Sequence, residues 1–168
     1  YNIKMNKKYI HGWWLPKDDE HLEDYFLQSI QAGDKRLYQA EHLNRCFHHI
    51  NNRKNTAIDI GGHCGFWSFY LGINFKKVYT FEPVNIFQEC FKKNIPHSNV
   101  ELIPVALGND NKFISMNIDM KNSGATHISN EIDENNKVEL KKLDDYEFTN
   151  IDFIKIDVEG FENQVVLG

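Results

Sequence analysis

In three places an acidic residue stands where a short apolar run ends. The first is Asp59-Ile-Gly61-Gly62-His63-Cys64-Gly65-Phe66, continuing Thr56-Ala-Ile. The second is Glu82-Pro83, closing Val78-Tyr-Thr-Phe81. The third is Asp157-Val-Glu159-Gly160, closing Ile151-Asp-Phe-Ile-Lys-Ile156. An ionised carboxylate only accepts hydrogen bonds and offers about four lone-pair sites. Glu82 therefore suits the two hydroxyls of a ribose. Asp157 and Glu159 suit removal of a proton from an alcohol, and His63 and His127 are further candidates for that role. A magnesium ion on Asp157 and Glu159 would leave most of its ligand positions unassigned, and no metal is expected. The glycines at 61, 62 and 65 permit positive φ and let a ligand lie against backbone.

These residues need elements to hold them. Thr56 to Ile60 is β-branched and apolar enough for a strand buried on both faces. The glycine-rich turn follows, then an apolar segment at helical spacing (Phe66, Phe69, Tyr70, Ile73). A strand, a glycine turn and a helix N-terminus make a unit that takes up nucleotide-like ligands. The dinucleotide fingerprint requires glycines at n, n+2 and n+5. Ile60 occupies the position two before Gly62, so a nicotinamide cofactor is disfavoured. Glu82 ends a second strand, as an acidic residue on a ribose does. After Pro83 a helix runs from Val84 to about Ile95. A third strand spans Asn99 to Val105, and Ala106-Leu107-Gly108 is the turn expected to meet an adenine. Lys112 to Asp119 and Lys137 to Leu143 alternate polar and apolar residues, as half-exposed antiparallel strands do. The insertion between them, Asn122 to Asn136, is a natural place for acceptor contacts. Ile151 to Asp157 reads as a parallel strand beside the first, bringing its acids to the same cleft.

Residues 1–55 are read as an N-terminal helical extension and 56–168 as the ligand-binding domain. Asp18, Asp19 and Glu20 suit a helix start. Leu22, Tyr25, Phe26 and Ile30 follow at helical spacing up to Gly33. A second helix is expected from about Lys35 to about Ile50, with Leu37, Ala40, Leu43, Phe47 and Ile50 on its apolar stripe. The extension either caps the cleft or packs on the sheet. A net charge of −5 without a basic run argues against a nucleic-acid surface. With 41% hydrophobic and 13% aromatic residues the composition is globular. No apolar stretch reaches membrane-spanning length and no signal peptide is read, so no membrane partner is expected. Cys46, Cys64 and Cys90 have no metal-ligand spacing and read as reduced thiols of a cytoplasmic protein.

The chain resembles the FkbM family of S-adenosylmethionine-dependent methyltransferases. The residues that carry this are Asp59-Ile-Gly-Gly-His-Cys-Gly-Phe-Trp-Ser68, Tyr79-Thr-Phe-Glu-Pro83, Val100-Glu-Leu-Ile-Pro-Val-Ala-Leu-Gly-Asn109, Leu143-Asp-Asp-Tyr146 and Ile151 to Gly160. Lys155-Ile-Asp-Val-Glu-Gly-Phe-Glu162 is the most family-specific part. The resemblance implies an α/β fold with a Rossmann-like, mostly parallel class I methyltransferase sheet. It implies O-methylation of a hydroxyl on a sugar, glycan or related natural product. Asp59, Gly61 and Gly65, with Gly62, His63 and Phe66 of the same loop, would lie at the cofactor's methionine end. Glu82 and Pro83 would lie at its ribose, Ala106 at its adenine, and Asp157 beside the transferred methyl. Asp157, Glu159 and His63 are the catalytic candidates. A non-catalytic subunit that supports a partner methyltransferase is the alternative.

The family's usual sheet continues beyond a fourth core strand, so a C-terminal half short of three strands is expected here. Ile151 to Asp157 is too apolar for a bare edge, and bare edges invite pairing. We therefore expect that strand to be buried or paired, in a longer protein or a homo-oligomer.

Overall fold

The computed structural model describes residues 6–31, 38–50, 52–129 and 131–168. The polar-then-aromatic start of the extension forms a hairpin of β1 (Lys7–Ile10) and β2 (Trp13–Pro16), with Ile10 opposite Trp13. Both residues of its turn have positive φ, 53° at His11 and 92° at Gly12. That conformation matches the twist of two paired strands. The extension is thus not wholly helical, as its sequence had suggested. Asp19 caps α1 (Glu20–Gln31) by accepting from the Leu22 amide at 2.7 Å, and Glu20 and Glu23 complement the first turn. The expected end at Gly33 lies outside the described residues. So do Lys35 and Leu37, where the second helix was expected to begin. That helix is described as α2 (Ala40–Ile50), with Leu43 and Ile50 buried.

Strand β3 (Thr56–Ile60) is buried at all its positions. Then come α3 (Phe66–Asn74), β4 (Lys77–Phe81), α4 (Asn85–Asn94), β5 (Val100–Ile103) and β6 (Ala106–Leu107). The remaining elements are β7 (Lys112–Asn117), β8 (His127–Ser129), β9 (Lys137–Lys141), β10 (Ile151–Ile156) and α5 (Glu162–Val166). One sheet has the order β10-β3-β4-β5 and all its pairs are parallel. The expected neighbour of the first core strand is therefore in place, with Lys155 opposite Asp59 and Ile156 opposite Ile60. The other sheet, β6-β9-β7-β8, is mixed: β6 pairs with β9 in parallel, while β7 pairs antiparallel with β8 and β9. The whole molecule is accordingly a mixed α/β fold with one parallel sheet of four strands. Residues 106 and 107, expected in a turn, are strand residues because β9 offers them a ladder.

Residues on both sides of position 56 share cores. Trp13, Leu15, Leu22 and Phe26 pack with Cys64, Phe66 and Cys90. Leu43 and Ile50 pack with Ala57, Trp67, Leu71, Phe75 and Val78. Ile58 and Ile60 meet Phe81, Val105, Leu107 and Val165 on the other side of the sheet. Strand β10 is an edge. Among the described residues no strand covers its outer side, and Ile151 and Ile154 are 40% and 42% exposed. The strand is paired, among the described residues, on its β3 side alone; cover for the other side was expected from a longer protein or a homo-oligomer. Among the described residues no helix is long and apolar enough to cross a membrane.

Candidate functional site

In a parallel sheet all strands end on one side, so whatever follows them gathers there. The turn after β3, Glu82 after β4 and Asp157 after β10 all line a single cavity. Gly61, Gly62, His63, Phe66, Pro83, Ala106 and Glu159 line it as well. Two of the expected contacts, Asp59 and Gly65, are not in its wall.

Backbone bonds fix the loop. Gly61 and Gly62 both donate to the Phe81 carbonyl at 3.0 Å, and Gly65 donates to the Gly62 carbonyl at 2.8 Å. His63 donates its amide to Glu82 Oε2 at 2.8 Å, with φ at 49°. The glycines are needed for packing, not for space facing the cavity. A Cβ on Gly61 would collide with the Asp157 carbonyl oxygen, and one on Gly62 with Thr80 Cγ2. At Gly65, where φ is 94°, a Cβ would lie 2.9 Å from Ile95 and Phe91 side-chain atoms. Gly61 and Gly62 nevertheless line the cavity, so a Cβ at either position would meet protein while the backbone stays open to a ligand.

Asp59 is wholly buried beneath the loop. Its Oδ2 accepts from Ser68 Oγ at 2.6 Å, and Ser68 is also bonded to Thr80 Oγ1. Its Oδ1 lies 3.2 Å from Lys155 Nζ. Glu82 is 4% exposed, and its second oxygen accepts from the Val84 amide at 2.8 Å. Burial pushes its carboxyl up to about 7, although the Val84 and His63 amides and the nearby Lys155 pull it down. The His63 ring lies 4.2 Å from the Phe87 ring, tilted at 43°, and its Nε2 is buried without a partner among the described residues. Burial, and after it Lys155, push this imidazole down to about 3. Asp157 is about half exposed and lies 3.8 Å from Lys155. Glu159, at a φ of 48°, is held above the usual carboxylate range by burial and by the charge of Asp157. His127 is exposed on β8. Among the described residues no group of three or more His, Cys, Asp or Glu is placed to hold a metal ion.

Among the wall residues not singled out in sequence are two that bring polar groups to the cavity. Lys155 is one, and its period was the available signal: residues two apart on a strand share a face, so it must lie with Asp157. Tyr38 is the other, and no motif marks it. It packs 4.9 Å from Phe66 and 5.0 Å from Tyr25. The next residue, Gln39, has φ at 52° and is held by the Trp67 indole and the Tyr25 hydroxyl. Burial and then Asp157 push the Tyr38 phenol up to about 12, so it stays a neutral donor. The extension therefore reaches the cavity, with His21 and Leu22 beside Tyr38. Met116, Ser123, Gly124, Thr126 and Ile128 form the wall supplied by the insertion. Asp19 joins the two walls, accepting from the Ser123 amide at 3.1 Å and from its hydroxyl.

These features define an α/β protein with a ligand cleft at the carboxyl ends of a parallel sheet. The family model for the methyltransferase FkbM domain matches residues 59–168, and the chain belongs to the FkbM methyltransferase family. No curated protein matches it.

Proposed function

We propose that this chain is an S-adenosylmethionine-dependent O-methyltransferase with a Rossmann-like core. Its acceptor is a hydroxyl of a sugar, glycan or related natural product. The observation that carries this reading is the convergence of three adjacent parallel strand ends, with Gly61, Glu82 and Asp157, on one cavity.

The residues present fit the cofactor. Each Glu82 oxygen already holds one amide, and a carboxylate has further lone pairs for two ribose hydroxyls. The apolar wall of Phe81, Val105, Ala106 and Leu107 suits a flat adenine. Gly61, Gly62, His63 and Phe66 flank the remaining end, while Asp59 and Gly65 support the loop from behind. S-adenosylmethionine supplies an electrophilic methyl group on a sulfonium. The protein's own share is orientation, which can contribute on the order of 7–11 kcal/mol. Proton acceptance adds roughly 10²–10⁴-fold. Asp157 and Glu159 are the residues suited to it, and burial raises the Glu159 carboxyl above its usual range. His63 serves as wall rather than base, because burial makes its ring a weak proton acceptor. The three free thiols fit a cytoplasmic setting.

Calorimetry with S-adenosylmethionine, S-adenosylhomocysteine and NAD tests the cofactor, with affinity expected for the first two. Binding of NAD alone would overturn the reading. A methyl-release assay over hydroxylated acceptors separates an enzyme from a cofactor-binding subunit.

A further inference from the structure

Lys155 is a cation set into an otherwise apolar stretch of β10, with its side chain 11% exposed. Its ammonium donates to the Gly61 carbonyl at 2.7 Å. It lies 3.2 Å from Asp59 Oδ1 and 3.8 Å from Asp157 Oδ2. The Asp59 contact is one of charge alone, since Oδ1 has no aligned hydrogen bond among the described residues. An ammonium carries three donors, and Gly61 takes one of them. Among the described residues of the cavity wall, Lys155 is the single Lys or Arg.

The glycine loop facing it has few donors to spare. The amides of Gly61 and Gly62 both go to Phe81, that of His63 goes to Glu82, and that of Gly65 returns to Gly62. An anionic group brought to this end of the cavity would be stranded without a charged partner, at a cost that buried anions do not bear unpaired. Charge-assisted bonds to an ammonium meet that need.

On the reading that the cavity takes S-adenosylmethionine, we propose that Lys155 binds the α-carboxylate of the cofactor's methionine part. Asp59, itself outside the wall, and the Gly61 carbonyl then act through the lysine, aiming it into the cavity. This gives the buried Asp59 a positioning role and gives the lysine of the most family-specific motif a ligand.

Two probes separate this role from a structural one. S-adenosylhomocysteine carries the carboxylate; S-adenosyl-3-thiopropylamine keeps the adenosine, sulfur and amine but lacks it. By calorimetry the unaltered protein should hold the first roughly ten- to hundredfold tighter, the range for a charged hydrogen bond. Lys155→Met should abolish that preference while leaving the affinity for the amine probe within a few-fold. A lysine that merely braces the loop would weaken both probes together in the variant, and that result overturns the assignment. Equal affinity of the unaltered protein for the two probes overturns it as well. If Lys155→Met does not fold, Lys155→Met with Asp59→Asn leaves no buried carboxylate alone and is read in the same way. Binding of neither probe by the unaltered protein would instead refute the cofactor reading on which the assignment rests.

Discussion

The pH dependence of stability should report directly on Glu82. Its carboxyl titrates at about 7 in the fold against 4.5 for an ordinary glutamate, chiefly because it is buried. Below pH 4.5 both the folded and the unfolded chain hold the proton. Between 4.5 and 7 the folded chain keeps it and the unfolded chain does not, so stability falls as pH rises. At roughly 1.4 kcal/mol per pH unit, that gap amounts to about 3 kcal/mol. Glu82→Gln cannot ionise. It keeps one carbonyl for one of the two amides and leaves the other unmet, a cost of about 1–3 kcal/mol at every pH. The variant should therefore be the less stable protein at pH 4.5, and the difference should move by about 3 kcal/mol in the variant's favour as pH rises past 7, closing or reversing it. His63 works in the opposite sense. Its imidazole is lowered from 6.5 to about 3, so its neutral form favours the fold increasingly between those values. That contribution is common to both proteins and cancels in the difference. Urea unfolding followed by tryptophan fluorescence, at steps from pH 4.5 to 8, measures it. A difference that stays flat within about 0.5 kcal/mol would refute the buried-carboxylate reasoning.

Gly61→Ala should destabilise the fold by more than about 3 kcal/mol, since its Cβ meets backbone and φ is 79°; an unchanged melting temperature would show that the loop yields. Asp19→Ala removes the α1 cap, about 0.5–2 kcal/mol, and strands the buried Ser123 donors, roughly 1–3 kcal/mol more. Denaturation showing a loss below about 1 kcal/mol would mean that the two cavity walls are not joined through it. Asp157→Asn should cut turnover far more than S-adenosylhomocysteine affinity; equal losses in both would make Asp157 a binding residue alone.

The strands that carry the site were legible because their signals are local. An apolar run into a glycine turn marked β3, and Glu82-Pro83 marked the end of β4. The alternation at 112–117 and 137–141 marked β7 and β9. What faces what was not legible. The spacing of Asp59, Gly61 and Gly65 identifies the loop, but the sides they present depend on Thr80, Ile95 and Phe91, which are distant in sequence. Residues 106 and 107 carry no strand signal of their own and become one by pairing with β9. The hairpin at 7–16 had a local cue in His11-Gly12, but histidine is not the usual first residue of such a turn. Tyr38 could not be found from its neighbours, because it is placed by Phe66, Tyr25 and Trp67.

The contact between Lys155 and Gly61 spans 94 residues, and that between Asp19 and Ser123 spans 104. Both belong to the cavity, and both must close across most of the chain. Contacts so distant form late, after the entropy of closing long loops has been met, and chains dominated by them fold slowly. During synthesis β3, β4 and β5 emerge well before β10, so β3 waits with an unpaired edge beside its glycine loop. The cavity is therefore among the last parts of the molecule to assemble. A nascent chain halted before residue 151 would have the loop and Glu82 but not the cavity wall that Lys155 and Asp157 supply, and its open strand would be exposed to chance partners.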